Sequence, residues 1–420
     1  MIHARHRLLS LWRDPDFLKL WGGEAVSRIG SQVTQLALPL TAILTLDATP
    51  AQVGLLTAAS YAPFMAVTLF VGVWVDRVRR RPLLIASNLG RAPLIAAVPL
   101  LAVLGLLRIE HLYVIAFAVG VLTVVFDVAY QSYMPSLVPR DRLEEGNSRL
   151  QATGALAQMG GPGIAGLLIE VTTAPVALLV DAVSYVVSMG TLSAIRTVEH
   201  RPFPPAVRRT VRQSITDGLA FVVRNRYLRA CVMESATYNL SFAALQTVFL
   251  LYAARELRFG AGTIGLVLSA GAVGSLAGTL AASALKRRLG LGRALVAELA
   301  LCCLSPALIP AFPGSAPLAA PVFALAFGLC GAGATMANVH VISLRQAITP
   351  GQLLGRMNAG YRFVSWSALP IGALLGGTLS AGIGFRATLF LTVGGFLLAL
   401  VWVAVSPIRR LWELPAGPMD

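Results

Sequence analysis

Glu24, Arg28, Ser31 and Gln35 stand at i, i+4, i+7 and i+11, so on a helix they share one face of an otherwise apolar run. A carboxylate one turn from a guanidinium can hold an ion pair, and protonating Glu24 would release Arg28. That spacing suits a proton-linked switch, and equally a fixed structural ion pair. Glu234, Tyr238 and Ser241 repeat the theme on a later run, with Asn239, Phe242 and Gln246 beside them. Asp127, Tyr130 and Gln131 cluster on a third run and Asp181 stands on a fourth, while Asn88 and Arg91 could neutralise one of these acids. His340 could titrate or simply hydrogen-bond in packing, and Glu298 lies near a run's edge, where an interfacial position is expected.

The densest charge lies elsewhere, in Gly72-Val73-Trp74-Val75-Asp76-Arg77-Val78-Arg79-Arg80-Arg81. A charged side chain at a bilayer centre costs about 3 kcal/mol, so this stretch belongs outside the hydrocarbon. A carboxylate such as Asp76 could cap a helix N-terminus, worth about 0.3–1 kcal/mol when exposed and up to about 2 when partly buried.

The elements that must position these groups follow from composition. The chain has 420 residues, 56% hydrophobic and 13% charged, and a mean hydropathy of +0.73. A soluble domain carries about 25% charged residues, so a membrane protein is expected. Spanning helices need about 20 apolar residues. Twelve such runs are present, at 17–46, 51–75, 82–107, 112–134, 150–170, 175–195, 229–253, 260–285, 293–312, 318–343, 361–382 and 386–406. The expected fold is an all-α integral membrane protein of twelve helices in two pseudo-symmetric halves, 1–195 and 229–420. The polar stretch 196–228 would join them, with an amphipathic helix near its end. Offsetting the chain by 211 residues aligns Pro139 with Pro350, Asn147 with Asn358, Gly161 with Gly372 and Gly166 with Gly377, and puts Asp127 on Asn338. Repeats of this kind build many transporters, with the binding site between the halves.

The net charge of +15 is distributed as topology demands. Alternate gaps hold the arginines of the charged loop, then Arg140, Arg142 and Arg149, a cluster from Arg196 to Arg229, Lys286 to Arg293, and Arg345 and Arg356. The others hold only Arg108, Arg255, Arg258 and Arg386. Basic residues stay cytoplasmic, so both termini are expected there, and the charge serves lipid headgroups rather than nucleic acid. The four cysteines fall in apolar runs, the histidines make no metal-ligand spacing, and no phosphate-binding loop is found. No cofactor, no metal and no catalytic constellation are therefore expected.

The charged loop has the pattern G-x-x-x-D-R-x-x-R-R and resembles the loop motif of the major facilitator superfamily. The likeness covers nearly the whole chain. Phe126-Asp127-Val128-Ala129-Tyr130-Gln131-Ser132, Asp181-Ala182-Val183-Ser184-Tyr185 and Arg345-Gln346-Ala347-Ile348-Thr349-Pro350 are similar to the branch of the enterobactin exporter and of macrolide and multidrug efflux proteins. The resemblance implies a gate of Gly72, Asp76, Arg77, Arg80 and Asp127, with Asp76 capping the eleventh span and Arg80 pairing with Asp127. Arg79 departs from the usual glycine, so the loop backbone is expected to differ. Gly161, Pro162 and Gly166 resemble the G-P-x-x-G signature of family antiporters; tight helix packing is the plainer account. Proton coupling is expected of Glu24, Arg28, Asp127 and Glu234. A substrate cavity is expected from Gln35, Tyr130, Asp181, Tyr238, Phe242, Gln246 and Asn338. The resulting expectation is a monomeric exporter in a bacterial-type cytoplasmic membrane that exchanges protons for a small amphipathic compound. A siderophore or other self-made metabolite is the rival cargo, and a non-transporting receptor or scaffold the rival class.

Overall fold

The computed structural model describes residues 11–75, 78–139, 142–197, 199, 211–312, 316–415 and 417, and no strand occurs among them. The α-helices are α1 (Pro15–Leu40), α2 (Pro50–Ala66), α3 (Thr68–Val75), α4 (Arg80–Val103), α5 (Ile109–Leu137), α6 (Leu143–Val171), α7 (Ala174–Ser193), α8 (Val211–Arg224), α9 (Arg226–Leu251), α10 (Ala261–Leu289), α11 (Leu291–Leu304), α12 (Leu308–Ala311), α13 (Ala316–Ile348), α14 (Leu354–Ile383) and α15 (Phe385–Ala404). Their starts are chemically specified. Asp14 accepts hydrogen bonds from the N–H groups of Asp16 and Phe17 with Pro15 at the first position of α1, Thr49 and Gln52 form a reciprocal capping box before Pro50, and Asn225 caps α9.

Among the described residues, nine helical stretches are long and apolar enough to cross a membrane, against the twelve runs read from sequence. The difference has local causes. α1 contains Asp16, Lys19, Glu24 and Arg28, and α9 contains Arg226, Arg229 and Glu234. The second run breaks at Val67 into α2 and α3, one turn after Pro63.

The repeat is visible in the helix boundaries. Pro15 and Arg226, Pro50 and Ala261, Arg80 and Leu291, Leu143 and Leu354, and Ala174 and Phe385 all start helices and all stand 211 residues apart. The same offset relates two π-helical turns, Thr41–Thr45 and Tyr252–Glu256, that finish α1 and α9.

The basic gaps lie at one end of the bundle. At the opposite end, α2 packs on α14 and α6 on α10. Backbones approach so closely there that a methyl on Gly166 would overlap the Ala261 carbonyl, and one on Gly377 would meet the Pro50 carbonyl. Arg255 adds hydrogen bonds to Asp47 (2.8 Å) and to the Ala48 carbonyl (2.7 Å) across the same end. Gly166→Leu should wedge this end apart, since overpacking costs about 1–3 kcal/mol. A cysteine placed at Gln35 should then react with a bulky impermeant maleimide from the opposite end, and unchanged protection would refute the wedge.

At the basic end, Asp16 lies in the first turn of α1, before the apolar run. Burial opposes its ionisation. Hydrogen bonds from Lys19, from the Thr197 hydroxyl and N–H and from the Arg196 N–H outweigh that and hold its carboxyl well below the usual carboxylate range. A lowered folded value contributes stability that is complete above the ordinary Asp value of about 4 and fades as pH falls toward the folded value. Asp16→Asn should therefore lower the thermal midpoint by a few degrees at neutral pH, with the gap to wild type narrowing in strong acid. An equal gap at both pH values would contradict this.

The amphipathic helix expected within 196–228 is α8. Its Gly218 rests on the backbone of Arg356 and its Leu219 on Gly360, so it packs on the start of α14.

Candidate functional site

Between the halves lies a cavity of about 520 Å³. One wall comes from α1, α2, α5, α6 and α7 and is polar, with Ser31, Thr34, Gln35, Thr57, Ser60 and Asp181. The other comes from α9, α10 and α13 and is mainly apolar and aromatic, with Tyr238, Phe242, Leu250, Leu268 and Phe327, relieved by Gln246. Tyr238 stacks on Phe242 at 5.8 Å and meets Phe396 edge-on at 5.3 Å, while its hydroxyl lies 3.7 Å from Cys330 Sγ.

Helical spacing continues the cavity toward the basic end. On α5 the lining residues Ala116, Gly120 and Thr123 lead one turn on to Asp127, and on α13 Phe327, Gly331 and Ala334 lead to Asn338. Asp127 and Asn338 are both solvent-exposed. They are the pair that the 211-residue offset superimposes. The closed helix pairs seal the opposite end, so the cavity opens toward the basic end.

Of the expected lining residues, Gln35, Asp181, Tyr238, Phe242 and Gln246 line this cavity. Two do not. Asn338 lies a turn beyond, in the vestibule. Tyr130, a turn beyond Asp127, does not reach the cavity: it is buried, stacks on Phe126 at 5.9 Å, and its hydroxyl has no partner among the described residues.

Behind the polar wall sits a charge cluster. Arg28 Nε donates to Glu24 Oε1 at 2.7 Å, while Glu24 Oε2 is buried without a partner among the described residues. Arg28, Asp127 and Arg91 are the charged neighbours of Glu24, and Arg91 also neighbours Asp181. The Arg91 guanidinium is sandwiched between the rings of Phe126 (4.4 Å) and Tyr185 (4.3 Å) and donates to Asn88 Oδ1 and Thr123 Oγ1. Asp181 is fully buried and accepts from Thr34 Oγ1 and from Ser184 Oγ (3.1 Å), tying α7 to α1. With all groups ionised, three carboxylates face two guanidiniums.

Glu234 is not part of this cluster. It is buried on α9 in the other half, where Cys231 and Tyr361 are its neighbours. There Arg345 lies 3.6 Å over the Tyr361 ring.

Residues 20–358 match the family profile of the Major Facilitator Superfamily. The chain belongs to that superfamily. It is a multi-pass membrane transporter, as its superfamily membership requires. It is 25% identical over 397 residues to the multidrug efflux pump Tap of Mycolicibacterium fortuitum, covering 93% of this chain and 95% of the relative. It is 22% identical over 236 residues to macrolide efflux protein A of Streptococcus pyogenes, covering 56% and 57%. Its fold is similar to the crystal structure of a bacterial homologue of the iron transporter ferroportin in the inward-facing state, with a TM-score of 0.72, 20% identity, and coverage of 94% and 99%.

In this superfamily member the motif loop departs from expectation. Asp76 and Arg77 lie outside the described residues, and Gly72 falls within α3. Arg80 pairs with Glu199, not with Asp127: its guanidinium lies 3.6 Å from Glu199 Oε1, and the same carboxylate accepts the N–H groups of Arg80 (2.8 Å) and Arg81 (3.1 Å). Glu199 thereby caps α4, a role no sequence pattern marks among so many charges in the gap after Ser193. Arg79 has φ −68° and ψ 133°, a conformation open to any residue, so the missing glycine leaves no strain.

Two further differences concern packing. Glu298, expected near the interface, is fully buried two turns into α11 and bonded to His340 Nδ1 at 2.9 Å. In the antiporter-like stretch, Gly161 packs on the Gln32 side chain and Pro162 lines the cavity. The Gly163 N–H donates to Ser269 Oγ of α10 at 2.9 Å.

Proposed function

We propose that this transporter exports small amphipathic compounds, cationic ones above all, by alternating access and in exchange for protons. The observation that carries the reading is the cavity itself, closed at one end, polar and acidic on one wall, aromatic on the other. Such a site suits a compound with a hydrogen-bonding or charged head and an apolar body. Glu24, Asp127 and Asp181 against Arg28 and Arg91 leave one excess negative charge when all are ionised. With Glu24, Asp181 and Arg91 buried and Asp127 at the open vestibule, that excess favours taking up one positive charge, either a proton or a cationic substrate. Exchange of one for the other follows, with Glu24, Arg28 and Asp127 as the coupling groups and Glu234 as a second acid in the other half. Basic loops remain cytoplasmic, so both termini face the cytoplasm and the cavity is open inward. The motif loop acts at the same face: Asp76, Arg77 and Arg80 would engage the start of α14 and Asp127 once the basic ends of the two six-helix halves, 1–195 and 229–420, come together across the linker 196–228. The similarity to multidrug and macrolide efflux proteins supports the direction of transport.

The test uses purified full-length protein in vesicles with an imposed pH gradient and a panel of lipophilic cations, macrolides and siderophores. Lipophilic cations should accumulate only with the gradient and leak out when an uncoupler collapses it. Gradient-independent movement, or uptake of the siderophores alone, would overturn the reading.

A further inference from the structure

We infer that Glu170 is a latch across the closed end, capping α10 from the opposing half and so favouring the state open at the basic end. The inference rests on the alternating-access reading above. α10 begins with Gly260 as its N-cap, and Gly260 offers no side-chain acceptor to the free N–H groups of the first turn. The acceptor comes instead from α6: Glu170 Oε2 receives the Gly262 N–H at 3.0 Å. Gly262 itself makes the approach possible, because a methyl there would overlap that oxygen.

The repeat supplies an independent comparison. Position 49 stands 211 residues before Gly260, and there Thr49 caps its own helix in a box with Gln52. Position 381, the counterpart of Glu170, is Ala381, which carries no acceptor. One half therefore begins its outer helix with a cap that is always present, and the other with a cap that exists only while α6 and α10 are in contact. A carboxylate at a helix N-terminus also meets the positive end of the helix dipole, so separating the halves loses both the hydrogen bond and the charge contact. No cation among the described residues pairs with Glu170. The neighbouring Asp47–Arg255 pair is an ion pair between side chains, with Asp47 96% exposed, and caps no helix, so it carries no dipole contact to lose.

The experiment is a distance measurement between spin labels at Thr172→Cys and Glu256→Cys, on either side of this contact, in the full chain reconstituted without substrate. Wild type should show mainly the short distance. Glu170→Ala should raise the long-distance population about two- to fivefold, and Glu170→Gln, which keeps an acceptor but not the charge, should fall between. Gly262→Pro removes the donor and puts ring carbons where the Glu170 oxygen lies; it should open the end in wild type and, with the carboxylate gone, add nothing in the Glu170→Ala background. An unchanged distribution in Glu170→Ala, or full additivity of the two substitutions, would overturn the latch. Because the distances are read without transport, a failure of proton-driven efflux in wild type would strike the functional reading and leave this result standing.

Discussion

Glu24→Gln should lower proton-driven efflux at least tenfold while leaving exchange of substrate across an ungraded membrane within about threefold of wild type. The reason is electrostatic bookkeeping in a cluster whose Glu24, Asp181 and Arg91 are buried while Asp127 and Arg28 reach the vestibule. Glu24, Asp127 and Asp181 outnumber Arg28 and Arg91 by one charge, and Glu24 is the carboxylate already bonded at 2.7 Å to the partly exposed Arg28. Gln fills the same space and still accepts a hydrogen bond, so folding and the Arg28 contact survive. What it cannot do is exchange a proton, and it leaves the cluster neutral without one. A cation then gains nothing by displacing a proton, and the gradient loses its hold on the cycle. A factor of ten is about 1.4 kcal/mol, which loss of one charge in a water-poor site readily exceeds. Efflux from energised and de-energised vesicles measures both quantities. Gradient-driven efflux at the wild-type rate would move coupling away from Glu24.

Arg91→Met should be the most destabilising single change in the amino-terminal half, by about 3–5 kcal/mol, the range for stripping one partner from a buried charge network. Methionine matches the aliphatic length, but it abandons two ring faces, the Asn88 and Thr123 acceptors and the charge beside Asp127 and Asp181. Arg91→Lys should recover little, because a tetrahedral ammonium cannot fill a planar slot between Phe126 and Tyr185. Thermal midpoints in detergent, with aggregation followed by size exclusion, give the comparison. An Arg91→Met protein as stable as wild type, or complete rescue by lysine, would show that the cage is ornamental.

The sequence made most of the architecture legible, and the reasons are physical. Long apolar runs, alternating basic gaps and a constant repeat offset are local or periodic signals, and each survives into helices, ends and pseudo-symmetry. The acid stripe of Glu24 and Arg28 was readable because one helix sets both residues. Partners on different helices were harder. Arg91 was visible as a candidate cation, yet its cage joins α4, α5 and α7, and no spacing along the chain announces Phe126 and Tyr185 as its walls. Helical spacing puts Tyr130 on the Asp127 face, but spacing does not show that its ring packs on Phe126 and is buried there, out of the cavity. Glu298 looked peripheral because its depth depends on where α11 begins, and that is set by the turn at Gly290. The loop motif points to Asp127 as the Arg80 partner, whereas in this basic-end-open arrangement Glu199 holds that arginine.

The offset of 211 residues between helix starts has one more consequence. Five helix starts, from Pro15 through Ala174, recur 211 residues on, from Arg226 through Phe385, while α13 starts at Ala316, four residues earlier than the offset from Ile109 of α5 would place it. The residue count is therefore kept from the first start of each half to the last, even where one helix takes up part of the connection before it. Corresponding helices meet their neighbours at matching depths because neither half has gained a residue on the other. Freedom in length is left to the stretch between Ser193 and Arg226, the one connection with no counterpart in the repeat.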